Sequence, residues 1–246
     1  MSRFPLLRFR LPKILKDTRH LSEGLRYDLL SQTIPDFILS ENNPLIWQNE
    51  LRYPYMRRWM GEVRDRRVLD IGCGWGFLAR KFAADGAHVT CLDLSALTMK
   101  LARREAVRQK MAMEFIRSGA ENQPLGCCID IVTATDVLEH VEDLPAVISE
   151  AARVLKPGGF FGFVTVNRNW LARFIYITMG ERLMGLLPRG THRYPKFIKP
   201  RELQELLSDR GLQVLDLRGI LVNPLLRKYH FWPSTAIEYI GVARKN

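Results

Sequence analysis

Val68-Leu69-Asp70-Ile71-Gly72-Cys73-Gly74-Trp75-Gly76-Phe77-Leu78 decides how the rest of the chain is read. An apolar run ends in an acid, three glycines alternate with side chains, and an apolar helical pattern follows, which predicts a strand, a tight turn and a helix. Glycine is needed where a bound molecule lies against the backbone, because a Cβ would hold it off, so the turn reads as a ligand floor. The usual dinucleotide fingerprint is G-x-G-x-x-G with pyrophosphate on the helix N-terminus. Here the spacing is G-x-G-x-G directly after Asp70, and an anion beside that carboxylate is poorly placed. A cationic ligand without phosphate fits better. S-adenosylmethionine (SAM), with ammonium and sulfonium charges, is such a ligand, and Asp70, Gly72 and Gly74 are its candidate contacts.

A second unit, His88-Val89-Thr90-Cys91-Leu92-Asp93, is another apolar strand ending in an acid. Its place, about twenty residues beyond the first glycine, is where an acid meets ribose hydroxyls in doubly wound folds, which makes Asp93 the candidate ribose ligand. Ser95 stands ready to cap the next helix, predicted over 96–109, so Asp93 is not needed for that task. Together the two units resemble the class I SAM-dependent methyltransferases, and the resemblance implies that Asp70, Gly72, Gly74 and Asp93 hold the cofactor.

With 246 residues, 47% of them hydrophobic, the chain can bury a substantial core as one α/β domain with additions. The formal net charge of +11 implies attraction to an anionic partner, either nucleic acid or an anionic membrane surface. Cys73, Cys91, Cys127 and Cys128 lie in or beside predicted strands without metal spacing, and read as reduced packing residues of a cytosolic-type compartment. Residues 1–16 carry five cations and no acid among apolar side chains, a basic surface or packing tail that arginines interrupt too often for a secretory signal. Residues 27–54, with prolines at 35, 44 and 54 among aromatic side chains, read as a cover over the cleft. No apolar run approaches the roughly 18 residues of a membrane-spanning helix.

Strands predicted at 114–117, 129–135, 160–165, 213–222 and 237–243 join the first two in a seven-stranded, mostly parallel sheet with helices on both faces, and its ligands sit at the carboxyl ends of the strands. Residues 225–233 read as loop. A helix is predicted over about 144–155, capped by Asp143 and stopped at Lys156-Pro157-Gly158-Gly159. Between the 129–135 strand and that helix lies Asp136-Val137-Leu138-Glu139-His140. If a helical turn begins at Asp136, then Asp136, Glu139 and His140 share one face beside the methyl donor. They are the candidate catalytic residues and a candidate site for a divalent cation: magnesium suits the oxygens, while the histidine admits zinc or manganese. The alternative is that they are solvated polar residues of a first helical turn.

The segment from Thr135 to Val141, with Leu-Lys-Pro-Gly-Gly, Asn167-Arg168-Asn169, Pro-Arg-Gly-Thr-His at 188–192, Lys-Phe-Ile-Lys-Pro at 196–200 and Val-Asn-Pro at 222–224, closely resembles the ubiquinone-biosynthesis O-methyltransferases. The match runs from about Pro44 to the C-terminus. It divides the chain into a basic extension and cover at 1–43 and a methyltransferase domain at 44–246. The resemblance implies a Rossmann-like class I fold and methylation of a phenolic or catechol hydroxyl on a polyprenylated quinone precursor. By position it implies cofactor contacts at Arg52, Gly72, Asp93 and Thr135, metal ligands at Asp136, Glu139 and His140, and the turn Ser118-Gly119-Ala120-Glu121 near the adenine. In that family the first metal position is glutamate, and this chain has the shorter Asp136. A cation on catechol oxygens lowers the hydroxyl pKa and fixes the angle of attack; alternatively His140 takes the phenolic proton as a general base.

Residues 167–201 concentrate the charge, with eight cations against one acid, Glu181, interleaved with Trp170, Phe174, Ile175, Tyr176, Leu183 and other apolar side chains. Cations beside apolar and aromatic side chains suit an element lying on a bilayer surface, or a buried lid, and Gly180 is expected to break the segment in two. The expectation is therefore a cytoplasmic enzyme resting on an anionic membrane at its inner face, with a hydrophobic phenolic or quinol substrate and a place in a biosynthetic complex. Nucleic acid is not expected as a partner, because the cations cluster with aliphatic side chains and no aromatic stacking motif accompanies them.

Overall fold

The computed structural model describes residues 11–185, 187–223 and 226–246. The first ten residues of the basic tail, Leu186 of the basic-apolar segment, Pro224 of the Val-Asn-Pro motif and Leu225 of the expected loop lie outside the described residues.

The chain begins with α1 (Glu23–Thr33), α2 (Pro35–Leu39) and α3 (Pro44–Met60). Pro35 and Pro44 each occupy the first helical position, where no amide hydrogen is missed, and the Asn43 side chain caps α3. Pro54 sits inside α3. The alternating region follows as β1 (Arg67–Ile71), α4 (Phe77–Ala84), β2 (His88–Asp93), α5 (Ala96–Arg108), β3 (Met113–Arg117), β4 (Ile129–Thr135), α6 (Leu144–Val154) and β5 (Leu155–Val166). After it come α7 (Trp170–Arg173), which runs straight into a π-helix at Phe174–Leu183, then α8 (Pro200–Ser208), β6 (Leu212–Asn223), β7 (Lys228–Trp232) and β8 (Glu238–Lys245).

The strands form one sheet in the order β3-β2-β1-β4-β5-β8-β6-β7, parallel from β3 through β5 and with antiparallel pairing beyond β5. The order reverses between β1 and β4, which opens the crevice where doubly wound sheets bind ligands. Successive residues of a strand face opposite sides, and the core divides accordingly. Leu69 and Ile71 of β1 pack with Phe161, Phe163 and the apolar faces of α6 and α8. Val68 packs with Ile131, Val164, Phe82 of α4 and Met56 and Met60 of α3. Both faces of the central strands are thus buried, which explains their nearly continuous apolar sequences.

Four features differ from the sequence reading. The sheet has eight strands and not seven, because Lys228–Trp232, expected as loop, pairs antiparallel with β6 from Lys228↔Asn223 to Trp232↔Gly219. Its alternation of polar and aromatic residues is that of an edge strand with Tyr229 and Phe231 turned towards α3 and the other face in solvent, a weak signal in so short a stretch. The stretch Pro157-Gly158-Gly159 lies within β5. Gly180 does not divide the basic segment, since the π-helix runs through it. Finally, Cys73 and Cys91 are buried as expected, but Cys127 is exposed and Cys128 half-exposed, and all four are free thiols.

Candidate active site

A cavity of about 590 Å³ opens at the carboxyl ends of β1, β2 and β4. Its floor is the glycine turn, in which Gly72, Gly74 and Gly76 have φ of 62°, 53° and 71°. A Cβ at Gly72 would stand 2.5 Å from Val137 Cγ2. The glycine is therefore required first by the protein itself, because the left-handed backbone and the Val137 side chain both exclude a larger residue. The Cys73 amide donates to the Leu92 carbonyl at 3.1 Å and fixes the turn against β2.

Asp93 ends β2 on the cavity wall, and its carboxylate is organised by two backbone donors, Gly74 N to Oδ2 and Ser95 N to Oδ1, each at 2.8 Å. Burial raises its pKa, and these amides pull it back. Replacing Asp93 with alanine removes a hydrogen-bonded anion worth about 1.5–3 kcal/mol and the support of the Gly74 amide. SAM affinity is therefore expected to fall roughly 10- to 150-fold, read by calorimetry. Asp70, on β1, is 2% exposed and accepts from Thr133 Oγ1 at 2.6 Å. Burial pushes its pKa up to about 7.

The wall opposite the turn is made by α1 and α3, which contribute Glu23, Tyr27, Asp28, Asn49 and Arg52. Arg52 is bidentate to Asp136, with both N–O distances 2.7 Å, and also donates to Glu238 Oε1 at 2.9 Å. Burial alone would lower its pKa, but the two carboxylates outweigh that and raise it. Glu238 in turn accepts from Tyr176 of the π-helix at 2.8 Å. The Nε of Arg52 and Oδ1 of Asn49, one helical turn apart on α3, are buried on this wall without hydrogen-bond partners. An orphaned donor and an orphaned acceptor on one helix that lines the cavity suit the carboxylate and ammonium of an amino acid, such as the methionyl end of SAM. Thr135, Ser118, Ala120 and Glu121 also line the cavity.

Asp136, Glu139 and His140 do not share a helical face. Asp136 has φ 56°, a left-handed residue that ends β4, and 138–140 form a turn instead of a helix. Both Asp136 oxygens are engaged by Arg52. Glu139 is buried away from the cavity and accepts from Thr165 Oγ1 at 2.8 Å, with its pKa pushed up to about 8 by burial. His140 alone of the catalytic candidates combines a free ring edge with a place on the cavity wall. Its Nδ1 is 3.2 Å from Glu23 Oε1, off the line of a good hydrogen bond, and its ring centroid is 5.4 Å from that of His192. Burial holds its pKa well below the ordinary value, so the imidazole is neutral. The three residues as arranged do not fit a divalent cation, and among the described residues no cluster of three acidic, histidine or cysteine side chains is placed to hold one.

Sequence reasoning missed Glu23, Tyr27, Asp28, Asn49 and Trp75. Asn49 carried a usable signal, its spacing of three from Arg52 on one helix face. Tyr27 and Asp28 fall within residues 27–54, the stretch read as a cover over the cleft, and they do line the cavity; which side chains of α1 reach it carried no signal, since that depends on how a terminal helix folds back over the sheet.

A parallel sheet with its order reversal at a glycine turn, acids closing β1 and β2, and a cavity suited to a cationic amino acid define a class I SAM-dependent methyltransferase. Residues 69–163 match the methyltransferase domain family. A SAM-dependent methyltransferase from Thermotoga maritima has the same fold, with TM-score 0.64 at 18% identity over 89% of this chain and 99% of its own. The ubiquinone biosynthesis O-methyltransferase of Paracidovorax citrulli is 38% identical over 214 residues, covering 84% of this chain and 87% of the relative. That of Aromatoleum aromaticum is 38% identical over 209 residues, covering 84% and 88%. The chain belongs to the ubiquinone biosynthesis O-methyltransferase family.

Proposed function

We propose that this enzyme methylates a phenolic or catechol hydroxyl of a polyprenylated quinone precursor. The observation that carries this reading is the place of His140 on the wall of the cofactor cavity with its Nδ1 3.2 Å from Glu23 Oε1, a carboxylate that can support the imidazole as it takes up a phenolic proton. When bound, SAM supplies a sulfonium methyl group to an oxygen that attacks in line. Arg52 and Asn49 hold the methionyl end and Asp93 the ribose. His140 takes the hydroxyl proton as the oxygen attacks, leaving Nε2 as the acceptor because Nδ1 faces Glu23, whose carboxylate offsets the imidazolium charge. Methyl transfer to a short-chain demethylubiquinol and to simple catechols tests the reading. Activity on amines with none on any catechol would overturn it.

No step is assigned to a divalent cation, because Asp136 is committed to Arg52 and Glu139 to Thr165. His140→Ala is expected to lower kcat by roughly 10²–10⁴, while exhaustive chelation leaves turnover unchanged. A loss on chelation that magnesium, zinc or manganese restores would sink the base mechanism.

For the basic segment we propose an anionic bilayer as partner. No helix among the described residues is long and apolar enough to cross a membrane, and the support is a surface contact: Trp170 is 77% and Leu183 69% exposed, with Phe174 and Met184 also outward, beside Arg182. Tryptophan and leucine side chains next to cations favour an interface over nucleic acid, whose bases need stacked aromatics. Each such residue contributes about 1.5–3 kcal/mol on insertion. Trp170→Ser with Leu183→Ser should therefore lower co-sedimentation with anionic liposomes roughly a hundredfold or more, and turnover of a soluble catechol should not change.

A further inference from the structure

Cys127 and Cys128 stand immediately before β4, at the amino edge of the sheet and so at the opposite end from the cavity. In extended backbone two successive side chains point to opposite faces. Here Cys128 has φ 99°, a conformation that non-glycine residues rarely adopt, and the turn brings the two sulfurs side by side at 3.3 Å. Both thiols are reachable from solvent, whereas Cys73 and Cys91 are buried. The nearest carboxylate in sequence, Asp130, is occupied by Lys156 Nζ at 2.9 Å and the Arg67 amide at 2.8 Å. Among the described residues nothing completes a four-ligand shell of the kind structural zinc requires. The neighbouring thiol raises the Cys128 pKa, and Lys156 and Arg67 draw it back.

We propose that Cys127 and Cys128 form a two-thiol site for trivalent arsenicals, ligands that two soft sulfur donors satisfy. With an arsenoxide the reaction is a condensation without change of oxidation state. Two arsenic–sulfur bonds form, the arsenic–oxygen bond breaks, and the two thiol protons leave with that oxygen as water. Joining both thiols in one turn makes the second bond intramolecular, which raises affinity over a single thiol by roughly 10²- to 10⁴-fold.

The reduced full chain is treated with phenylarsine oxide in the presence of excess glutathione and followed by intact mass. One adduct per chain is expected, resistant to the monothiol, removed by dithiothreitol, and protecting two thiols from a thiol-specific colorimetric reagent. Cys127→Ser and Cys128→Gly, the latter suited to the left-handed backbone, should each lose the glutathione-resistant adduct and keep methyl transfer. An adduct that persists in either variant, or that never forms although both thiols of the parent react with the colorimetric reagent, overturns the assignment.

Discussion

Replacing Arg52 with methionine is expected to lower the unfolding free energy by about 3–5 kcal/mol, the usual cost of removing one partner from a buried ion pair. For a chain of this size each kcal/mol corresponds to about 2–4 °C in melting temperature, so the drop should be roughly 6–20 °C. The cause is what remains, because Asp136 and the buried Glu238 lose the cation that both share. The pH dependence carries the signature. Burial first of all, opposed by Arg52, already pushes the Glu238 pKa up to about 7, above the ordinary glutamate value. A carboxyl with a raised folded-state pKa contributes stability below its unfolded value and loses it as pH rises through the folded one. The variant should therefore recover stability on acidification from pH 8 towards 5. Adding Glu238→Gln should return part of the loss at neutral pH. An unchanged melting curve would show that the guanidinium does not compensate these acids. The same variant should bind SAM poorly, since the Arg52 Nε–H is the free donor on the cavity wall.

Gly72→Ala is expected to be nearly as damaging, for a different reason. A residue held in left-handed backbone costs about 1–2 kcal/mol, and its Cβ would press on Val137 at 2.5–2.7 Å, an overpacking worth about 1–3 kcal/mol. The sum is about 2–5 kcal/mol. The two contributions separate in the double variant Gly72→Ala with Val137→Ala, which should regain the overpacking share and retain the backbone share. If the double variant is no more stable than the single one, the Val137 contact does not matter and the cost lies with the left-handed backbone alone.

The glycine turn and the two acids were legible in the sequence because a strand-turn-helix has a local signature and the reaction edge of a parallel sheet follows from alternation. The place of Asp93 at the end of β2 on the cavity edge was expected before its amide partners were known. What the spacing of Asp136, Glu139 and His140 could not reveal was the backbone between them. A period of three or four places side chains on one face only in a helix, and the left-handed Asp136 turns the three apart. Its capture by Arg52, 84 residues earlier, is a long-range contact with no local trace. The same holds for α1, whose Glu23 and Asp28 are polar residues of no evident pattern until the helix lies across the cavity. The cysteines divide along the same line: Cys73 of the glycine turn and Cys91 of β2 pack as predicted, and those at a strand entrance obey the turn.

The covering helix is joined to the cofactor floor by a hydrogen-bonded chain. Trp75 Nε1 donates to Ser31 Oγ at 2.9 Å, and Ser31 Oγ is 2.8 Å from Thr98 Oγ1. Asp28 Oδ1 accepts from Ser95 Oγ at 2.6 Å and the Leu97 amide at 2.9 Å. Asp28 thereby adds an acceptor from outside α5 to the cap that Ser95 already supplies at the helix's first turn. The first turn of α5, the indole of the glycine turn and the covering helix thus share one polar network, so a local opening of α1 would strip acceptors from Trp75 and Leu97 together.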